Sequence, residues 1–251
     1  MILLFTDFGV GGPYIGQVKA VLLNAAPGVP VIDLMADAPA HDPMASAYLL
    51  AALVGEFPSG SIFLAVVDPG VGGERRPAVA EIDGRWYVGP DNGLLEPLLR
   101  RARHARGWAI IWRPDRLSAS FHGRDLFAPT AARLALGARP WDKPLWHEPS
   151  WAEPCALELF RRPAWPDELA RIVYIDHFGN AMTGIRASTL DGNATLEVAA
   201  RRLSRARTFG DVPPGVPFWY ENANGLAEVA VNQGRADRAL GLAIGSPVVV
   251  R

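Results

Sequence analysis

Residues 62–76 read I-F-L-A-V-V-D-P-G-V-G-G-E-R-R. The apolar run Ile62–Val67 has the length and content of a strand buried on both faces, and it stops on an acid, Asp68. Pro69 and Gly70 break the strand, Gly72 and Gly73 leave the backbone free to turn, and Arg75 and Arg76 close the loop. An acid at the carboxyl tip of a buried strand, followed by a glycine-rich loop and an arginine, is where open α/β sheets place their chemistry. Taken alone, the loop also reads as a surface turn with an incidental ion pair.

The flanking chain extends this pattern. Ile2–Phe5 reads as a strand ending at Thr6-Asp7, and a glycine-rich turn, Phe8–Gly12, follows. Ile15, Val18, Leu22 and Ala25 mark one face of a helix. Val31–Leu34 is a second strand, and Pro43–Phe57 an apolar helix stopped by Pro58 and Gly60. Ala78–Ile82 and Trp86–Val88 predict a hairpin around Asp83-Gly84. Leu94–Arg106 is expected as a helix whose last turns carry Arg100, Arg101, Arg103 and Arg106, where cations suit the helix dipole. Trp108–Trp112 reads as a strand and Asp125–Leu136 as a helix. Alternating strands and helices predict an α/β domain over 1–150, a mainly parallel sheet flanked by helices.

After Gly137 the texture changes. Prolines at 140, 144, 149, 154, 163 and 166 mark an extended connector, with 151–170 as its boundary segment. From Ile172 on, short β runs recur at Ile172–Ile175, Thr195–Val198, Phe218–Tyr220, Ala227–Val231 and Val248–Val250. They predict a smaller all-β, barrel-like domain over 171–251.

Charge and cysteine usage narrow the function classes. A net charge of -1 gives no global field for nucleic acid or membrane. One cysteine, Cys155, rules out an internal disulfide and fits a reducing compartment. Met1–Phe5 is too short and lacks the basic flank of a signal peptide, and no run approaches the roughly 18 apolar residues of a membrane span. A cytoplasmic protein is expected. The glycines do not make a phosphate cradle: G-x-G-x-x-G fails at Tyr14 from Gly9 and at Arg75 from Gly70. His41, His104, His122, His147 and His177 show no metal-ligand spacing, so no metal is expected.

Asp7, Asp33 and Asp68 each sit just past an expected strand, and a parallel sheet would bring such tips to one edge. Asp33 reads as an ordinary turn acid. Asp7 is followed by glycines at 9, 11 and 12, so a ligand can approach, and its carboxylate could accept two ribose hydroxyls. The stretch Ala119–Ala132 contains His122 between Phe121 and Gly123, just before a helix. A histidine near an Asp and an Arg could position and deprotonate a water, with Arg as orienter rather than base. In Ile175–Ile185, Asp176 ends a strand, Phe178 offers an aromatic face, and Asn180 offers a donor–acceptor pair suited to an adenine edge; a tight turn is the plainer alternative.

Together these stretches resemble one family, the adenosine-forming S-adenosyl-L-methionine (SAM) hydrolases, or SAM hydroxide adenosyltransferases, relatives of fluorinase and chlorinase. The matching pieces are T-D-F-G at 6–9, V-V-D-P-G-V-G at 66–72 with Arg75, P-D-N-G at 90–93, S-F-H-G-R-D-L-F-A-P at 120–129, I-D-H-F-G-N at 175–180 and E-N-A-N-G at 221–225. The resemblance implies hydrolysis of SAM by a homotrimer with active sites at subunit interfaces and no cofactor. It implies that Asp68, Arg75 and His122 activate water, that Asp7 holds the ribose, and that Asp176 meets the methionine amino group. Asn180 would read adenine, Phe178 and Phe209 would stack on it, Phe121 would join the substrate contacts, and the backbone at Ala223 and Asn224 would hold the methionine end. Fluorinase-like halogenases lack the water-activating Asp and His that this chain keeps. The chain departs from the family's usual residues at Pro13, at Leu34-Met35-Ala36, at Gly184 and at Ala223. Two other readings compete: a metal-dependent phosphohydrolase using Asp7, Asp68 and His122, and a non-catalytic SAM or adenosine sensor.

Overall fold

A computed structural model describes residues 1–142 and 150–251. Lys143, His147 and part of the expected connector lie outside the described residues. The described chain forms two compact units: residues 1–47 with 55–162, and residues 163–251 with 48–54.

In the first unit seven strands form one sheet. They are β1 (Ile2–Thr6), β2 (Val31–Met35), β3 (Ile62–Val66), β4 (Pro77–Ile82), β5 (Arg85–Pro90), β6 (Ala105–Ile110) and β7 (Ala152–Cys155), in the order β2-β1-β3-β5-β4-β6-β7. The pairings from β2 through β5 are parallel, and those of β4, β6 and β7 antiparallel. The helices are α1 (Tyr14–Ala25), α2 (Pro43–Leu53), α3 (Glu96–Arg101) and α4 (Ala128–Ala135). Ile2, Leu4, Leu64, Val66 and Val88 join Val18 and Leu22 of α1 and Ala131 and Leu134 of α4 in one core. On the alternate positions Leu3, Phe5, Phe63 and Tyr87 are also buried, with Phe63 stacked on Tyr87 at 5.1 Å. Burial on both faces explains why β1 and β3 read as unbroken apolar runs rather than alternating ones. The β4–β5 hairpin turns on Asp83 and Gly84 at φ 47° and 77°, the left-handed pair that a two-residue hairpin needs.

Four expectations change here. The helix expected over Leu94–Arg106 is only the six-residue α3; Ala102 is already extended, and Ala105–Ile110 is β6. Arg106 therefore does not serve a helix end. It donates to Glu81 across the β4–β6 pair and lies 4.4 Å over the Trp141 ring. Gly107 permits this strand to pass Phe160, whose Cε2 lies 2.7 Å from where a β-carbon would sit. Asp33 lies inside β2, not past its tip, and pairs with Lys19 at 3.0 Å. At the end of α1, Ala26 rather than Ala25 fills the core. Within the segment read as a connector, β7 pairs with β6 and extends the sheet edge.

The second unit is all-β apart from short helical turns. Its strands are β8 (Leu169–Ile175), β9 (Ala181–Arg186), β10 (Leu196–Val198), β11 (Arg201–Leu203), β12 (Pro217–Glu221), β13 (Leu226–Val231) and β14 (Val249–Val250), with the five-residue α5 (Ala236–Leu240) between β13 and β14 in the chain and packed on β13. Two antiparallel sheets result, β12-β13-β9-β8 and β11-β10-β14. Single bridges, Arg205↔Trp219 and Arg171↔Pro247, join the ends of one sheet to the other, which makes the arrangement barrel-like. Trp219 fills the middle with no exposed surface, and its ring N–H donates to the Ala194 carbonyl at 3.0 Å. The strands β9 and β11 escaped the sequence reading. β9 carries Gly184, where a side chain would meet Leu169, and β11 is two arginines and a leucine, without an apolar run.

Candidate functional site

Thr6 ends β1 and Val66 ends β3, side by side in parallel register, so Asp7 and Asp68 leave the same sheet edge. Both line a cavity of about 450 Å³ with Phe8, Tyr14, His41, Phe121 and His122. Asp68 is held by Arg75: the guanidinium Nε donates to Oδ1 at 3.1 Å and to Oδ2 at 2.9 Å, and Nη2 donates to Oδ2 at 2.5 Å. The same Nη2 reaches His122 Nδ1 at 3.0 Å. Only 5% of the Asp68 side chain and 10% of the Arg75 side chain are exposed, so little water screens the pair. The guanidinium also lies 5.2 Å over the Phe127 ring.

His122 is pushed below its usual pKa, first by burial and then by the Arg75 charge, partly opposed by Asp68. The neutral imidazole accepts from Arg75 at Nδ1 and so carries its proton on Nε2. His122 precedes a five-residue π-helical turn, Gly123–Phe127, a widened turn that often marks a functional site. Gly123 is required there, since a β-carbon would sit 2.8 Å from Phe8 Cζ. Asp125 accepts from the Ser118 N–H at 2.8 Å and from Arg124, which pins the segment that carries Phe121 and His122. These donors, the Arg124 bond first, hold the Asp125 carboxyl below the usual range against the opposing effect of burial.

Gly72 shows how the 68–75 loop is shaped. Its φ is 78°, and an added β-carbon would lie 2.4 Å from the Ala119 carbonyl oxygen. Gly72→Ala is expected to cost about 1–3 kcal/mol and to move Arg75 away from Asp68 and His122. A thermal melt with a parallel rate measurement checks this; an unchanged melting temperature and rate would contradict it.

Asp7 sits across the cavity, its Oδ2 accepting the His41 backbone N–H at 3.1 Å, and His41 itself has φ 58°. Phe8, Tyr14 and Phe121 meet edge to face, with centroids 5.3–6.4 Å apart, and form an aromatic wall. The P-D-N-G stretch does not enter the cavity lining. Asn92 donates to the Val67 carbonyl at 2.7 Å, and Asp91 pairs with Arg76 at 2.8 Å, so both brace the strand end that presents Asp68.

The second unit carries its own cavity, about 660 Å³, lined by Asp176, Phe178, Asn180, Phe209, Tyr220, Gln233 and Arg235 among others. Asp176 and Asn180 grip each other: the Asn180 backbone N–H donates to Asp176 Oδ1 at 2.8 Å and its side-chain amide to Oδ2 at 3.0 Å. This closes the tight turn that displays Phe178, 72% exposed. Arg235 donates to the His177 carbonyl at 2.8 Å and pairs with Asp237, while the Asp237 N–H donates to the Gly179 carbonyl at 3.0 Å. Phe209 packs edge to face on Phe218 and Tyr220, both at 5.2 Å.

The sequence-predicted residues thus fall into two groups. Asp7, Asp68, Phe121 and His122 line the first cavity, with Arg75 behind them, and Asp176, Phe178, Asn180 and Phe209 line the second. Ala223 and Asn224 line neither; they form the β12–β13 turn, where the Asn224 N–H donates to Asn222 Oδ1 at 2.9 Å. The sequence reading missed Tyr14, His41, Tyr220, Gln233 and Arg235. Gln233 has φ 54°, and the turn run V-N-Q-G at 231–234 was its one visible signal. Among the described residues, no group of three or more His, Cys, Asp or Glu side chains is arranged to hold a metal ion. No helix among them is long and apolar enough to cross a membrane.

The SAM hydroxide adenosyltransferase N-terminal domain matches residues 2–143, and the C-terminal domain of the same family matches residues 170–249. A Thermus thermophilus protein named (R)-S-adenosyl-L-methionine hydrolase is 43% identical, over 98% of this chain and 98% of its own. A Salinispora tropica protein of the same name is 39% identical, over 96% and 93%. The crystal structure of an uncharacterized conserved protein from Thermotoga maritima superimposes with a TM-score of 0.83 at 26% identity, covering all of both chains. The chain belongs to the SAM hydroxide adenosyltransferase family.

Proposed function

We propose that this chain hydrolyses SAM to adenosine and L-methionine, with water attacking ribose C5′ in line with the C5′–S bond. The observation that carries the reading is the linked Asp68–Arg75–His122 set at the tip of β3, in a chain whose full-length relatives are named SAM hydrolases. Methionine leaves as a neutral thioether and needs no acid, so the protein's task is to orient water and take its proton. Arg75 orients the water and stabilises its developing charge. His122, whose Nδ1 accepts from Arg75, offers Nε2–H as a donor rather than a lone pair, so the proton goes to Asp68. Asp7 accepts the ribose hydroxyls, and Phe121 packs with Phe8 and Tyr14 against the sugar and sulfonium.

Residues 1–150 supply this water-activating half, the 151–170 segment leads from the last strand of its sheet to the second unit, and residues 171–251 supply the adenine and methionine half. There Asn180 reads adenine, Phe178 and Phe209 stack on it, Asp176 meets the ammonium, and the Ala223–Asn224 turn contacts the methionine end. Each cavity carries only part of this set, which supports a homotrimer in which one subunit's N-terminal domain works with the next subunit's C-terminal domain. Retention of Asp68 and His122 favours hydrolysis over halide transfer.

The test is incubation of the purified protein with SAM and a chelator, with chromatography of the products. Equimolar adenosine and methionine are expected. Intact SAM would sink the reading, and activity restored only by added metal would favour a metallophosphohydrolase-type centre instead. Light scattering at three times the 27.1 kDa chain mass is the expected oligomer result; a monomer would contradict the shared-site arrangement.

A further inference from the structure

Two glutamates in the described residues are almost wholly buried, Glu96 and Glu228. Glu96 is matched by Arg100 and Arg161. Glu228, on β13, has no cation among the described residues. Tyr220 Oη donates to its Oε1 at 2.6 Å and Asn222 Nδ2 donates to its Oε2 at 2.7 Å, and those neutral donors are its hydrogen-bond partners. A buried carboxylate with only neutral partners is an uncompensated negative charge. Burial pushes Glu228 above the usual carboxyl range, its two hydrogen bonds oppose that, and the Asp176 charge adds to it.

Its surroundings point one way. Tyr220 lines the cavity of the second unit, and Glu228 stands directly behind that hydroxyl. Asp176, at the end of β8, lines the same cavity and lies close enough to act on both Tyr220 and Glu228. On β9, Met182 lies opposite Glu228 and brings no charge. Arg235, also in the lining, is already paired with Asp237. The wall therefore presents the Asp176 carboxylate to the cavity, with Glu228 behind the Tyr220 hydroxyl, and no unpaired cation among the described lining residues.

We propose that Glu228, acting through Tyr220, is a positioning residue that selects a cationic ligand for this cavity, the ligand itself supplying the missing counter-charge. This rests on the SAM reading. SAM carries an ammonium and a sulfonium, S-adenosylhomocysteine keeps the ammonium and loses the sulfonium charge, and adenosine has neither. The two carboxylates favour SAM and S-adenosylhomocysteine, which share the ammonium that meets Asp176, over adenosine, and a purely structural Glu228 does not distinguish them.

The experiment compares wild type, Glu228→Gln and Tyr220→Phe by KM and kcat for SAM and by inhibition constants for S-adenosylhomocysteine and adenosine. Glu228→Gln is expected to raise KM for SAM about tenfold, the scale of one charge contact, with kcat within about twofold and the adenosine constant unchanged. S-adenosylhomocysteine is expected to lose affinity by no more than SAM does. Tyr220→Phe keeps the ring and removes the link to Glu228; it is expected to shift the constants in the same order and decides the matter if Glu228→Gln does not fold. Equal weakening of all three ligands, or no weakening of SAM, overturns the inference. A wild-type protein that leaves SAM intact overturns the functional reading and this one with it, whereas an active wild type with an indifferent Glu228→Gln overturns this one alone.

Discussion

Asp68→Asn lowers kcat for SAM hydrolysis by about 10²–10⁴-fold, the usual span of general-base assistance, and leaves KM close to the wild-type value. The substitution keeps the shape of the side chain and one oxygen for Arg75, so it removes the proton acceptor with little change of packing. His122→Asn has a smaller effect, about 10- to 100-fold, the worth of a hydrogen bond to a charged group. The asymmetry follows from one bond: Arg75 Nη2 occupies His122 Nδ1, which leaves the imidazole a donor at Nε2. The pH profile separates the two roles. Burial and Arg75 push His122 below its ordinary 6.5. The neutral form, which alone can accept from Arg75, is present above that lowered pKa and lost as pH falls through it. The wild-type kcat/KM profile should show an acid limb with a midpoint below 6.5; Asp68→Asn should keep the limb at reduced rate, and His122→Asn should lose it. Equal losses for both variants, with the limb unchanged in His122→Asn, would reverse the assignment.

How far the sequence announced this site depends on what kind of signal each part carries. β1, β3 and the 68–75 loop were legible because a strand buried on both faces is an unbroken apolar run, and its end is punctuated by an acid and glycines. The link from Arg75 to His122 was not, since those residues are brought together by the π-helical turn after His122, and no local period encodes such a turn. The start of β6 was hidden for a different reason, although Trp108–Ile110 was read as strand. Its first residues, Ala105 and Arg106, continue the arginine-rich end of α3, and only pairing with β4 makes them a strand. Asp33 was grouped with the tip acids although the expected strand already ran through Leu34; its place inside β2 is set by pairing with Leu4 of β1. In the second unit Asp176, Phe178 and Asn180 were visible as a turn motif. Tyr220 and Glu228 were not: one reads as an ordinary strand aromatic, the other as a surface acid, until the β12–β13 register sets them face to face.

Glu96→Ala destabilises the first unit by about 3 kcal/mol, the lower end for breaking a buried ion pair, because Arg100 and Arg161 each keep a side in water. Its carboxylate accepts from Arg100 at 2.8 Å, from Arg161 at 3.1 Å and from the Arg162 backbone N–H at 2.6 Å. Burial alone would raise its pKa, but these donors outweigh it and hold the group below its ordinary 4.5. A lowered folded-state pKa stabilises the fold above the unfolded value and loses that stabilisation as pH falls through the folded one. Wild-type stability should therefore drop below about pH 4.5, and Glu96→Ala should flatten that part of the curve. At neutral pH the melting temperature should fall by about 6–12 °C; a fall below 2 °C would show that the cluster is incidental. The consequence reaches the site through one chain of contacts. Glu96 fixes residues 161 and 162, Arg162 donates to the Asp91 carbonyl at 3.2 Å, Asp91 holds Arg76, and Asn92 holds the Val67 carbonyl next to Asp68. Glu96→Ala should then lower kcat as well as stability, even where the protein remains folded, because the strand end that aims Asp68 at Arg75 rests on this network.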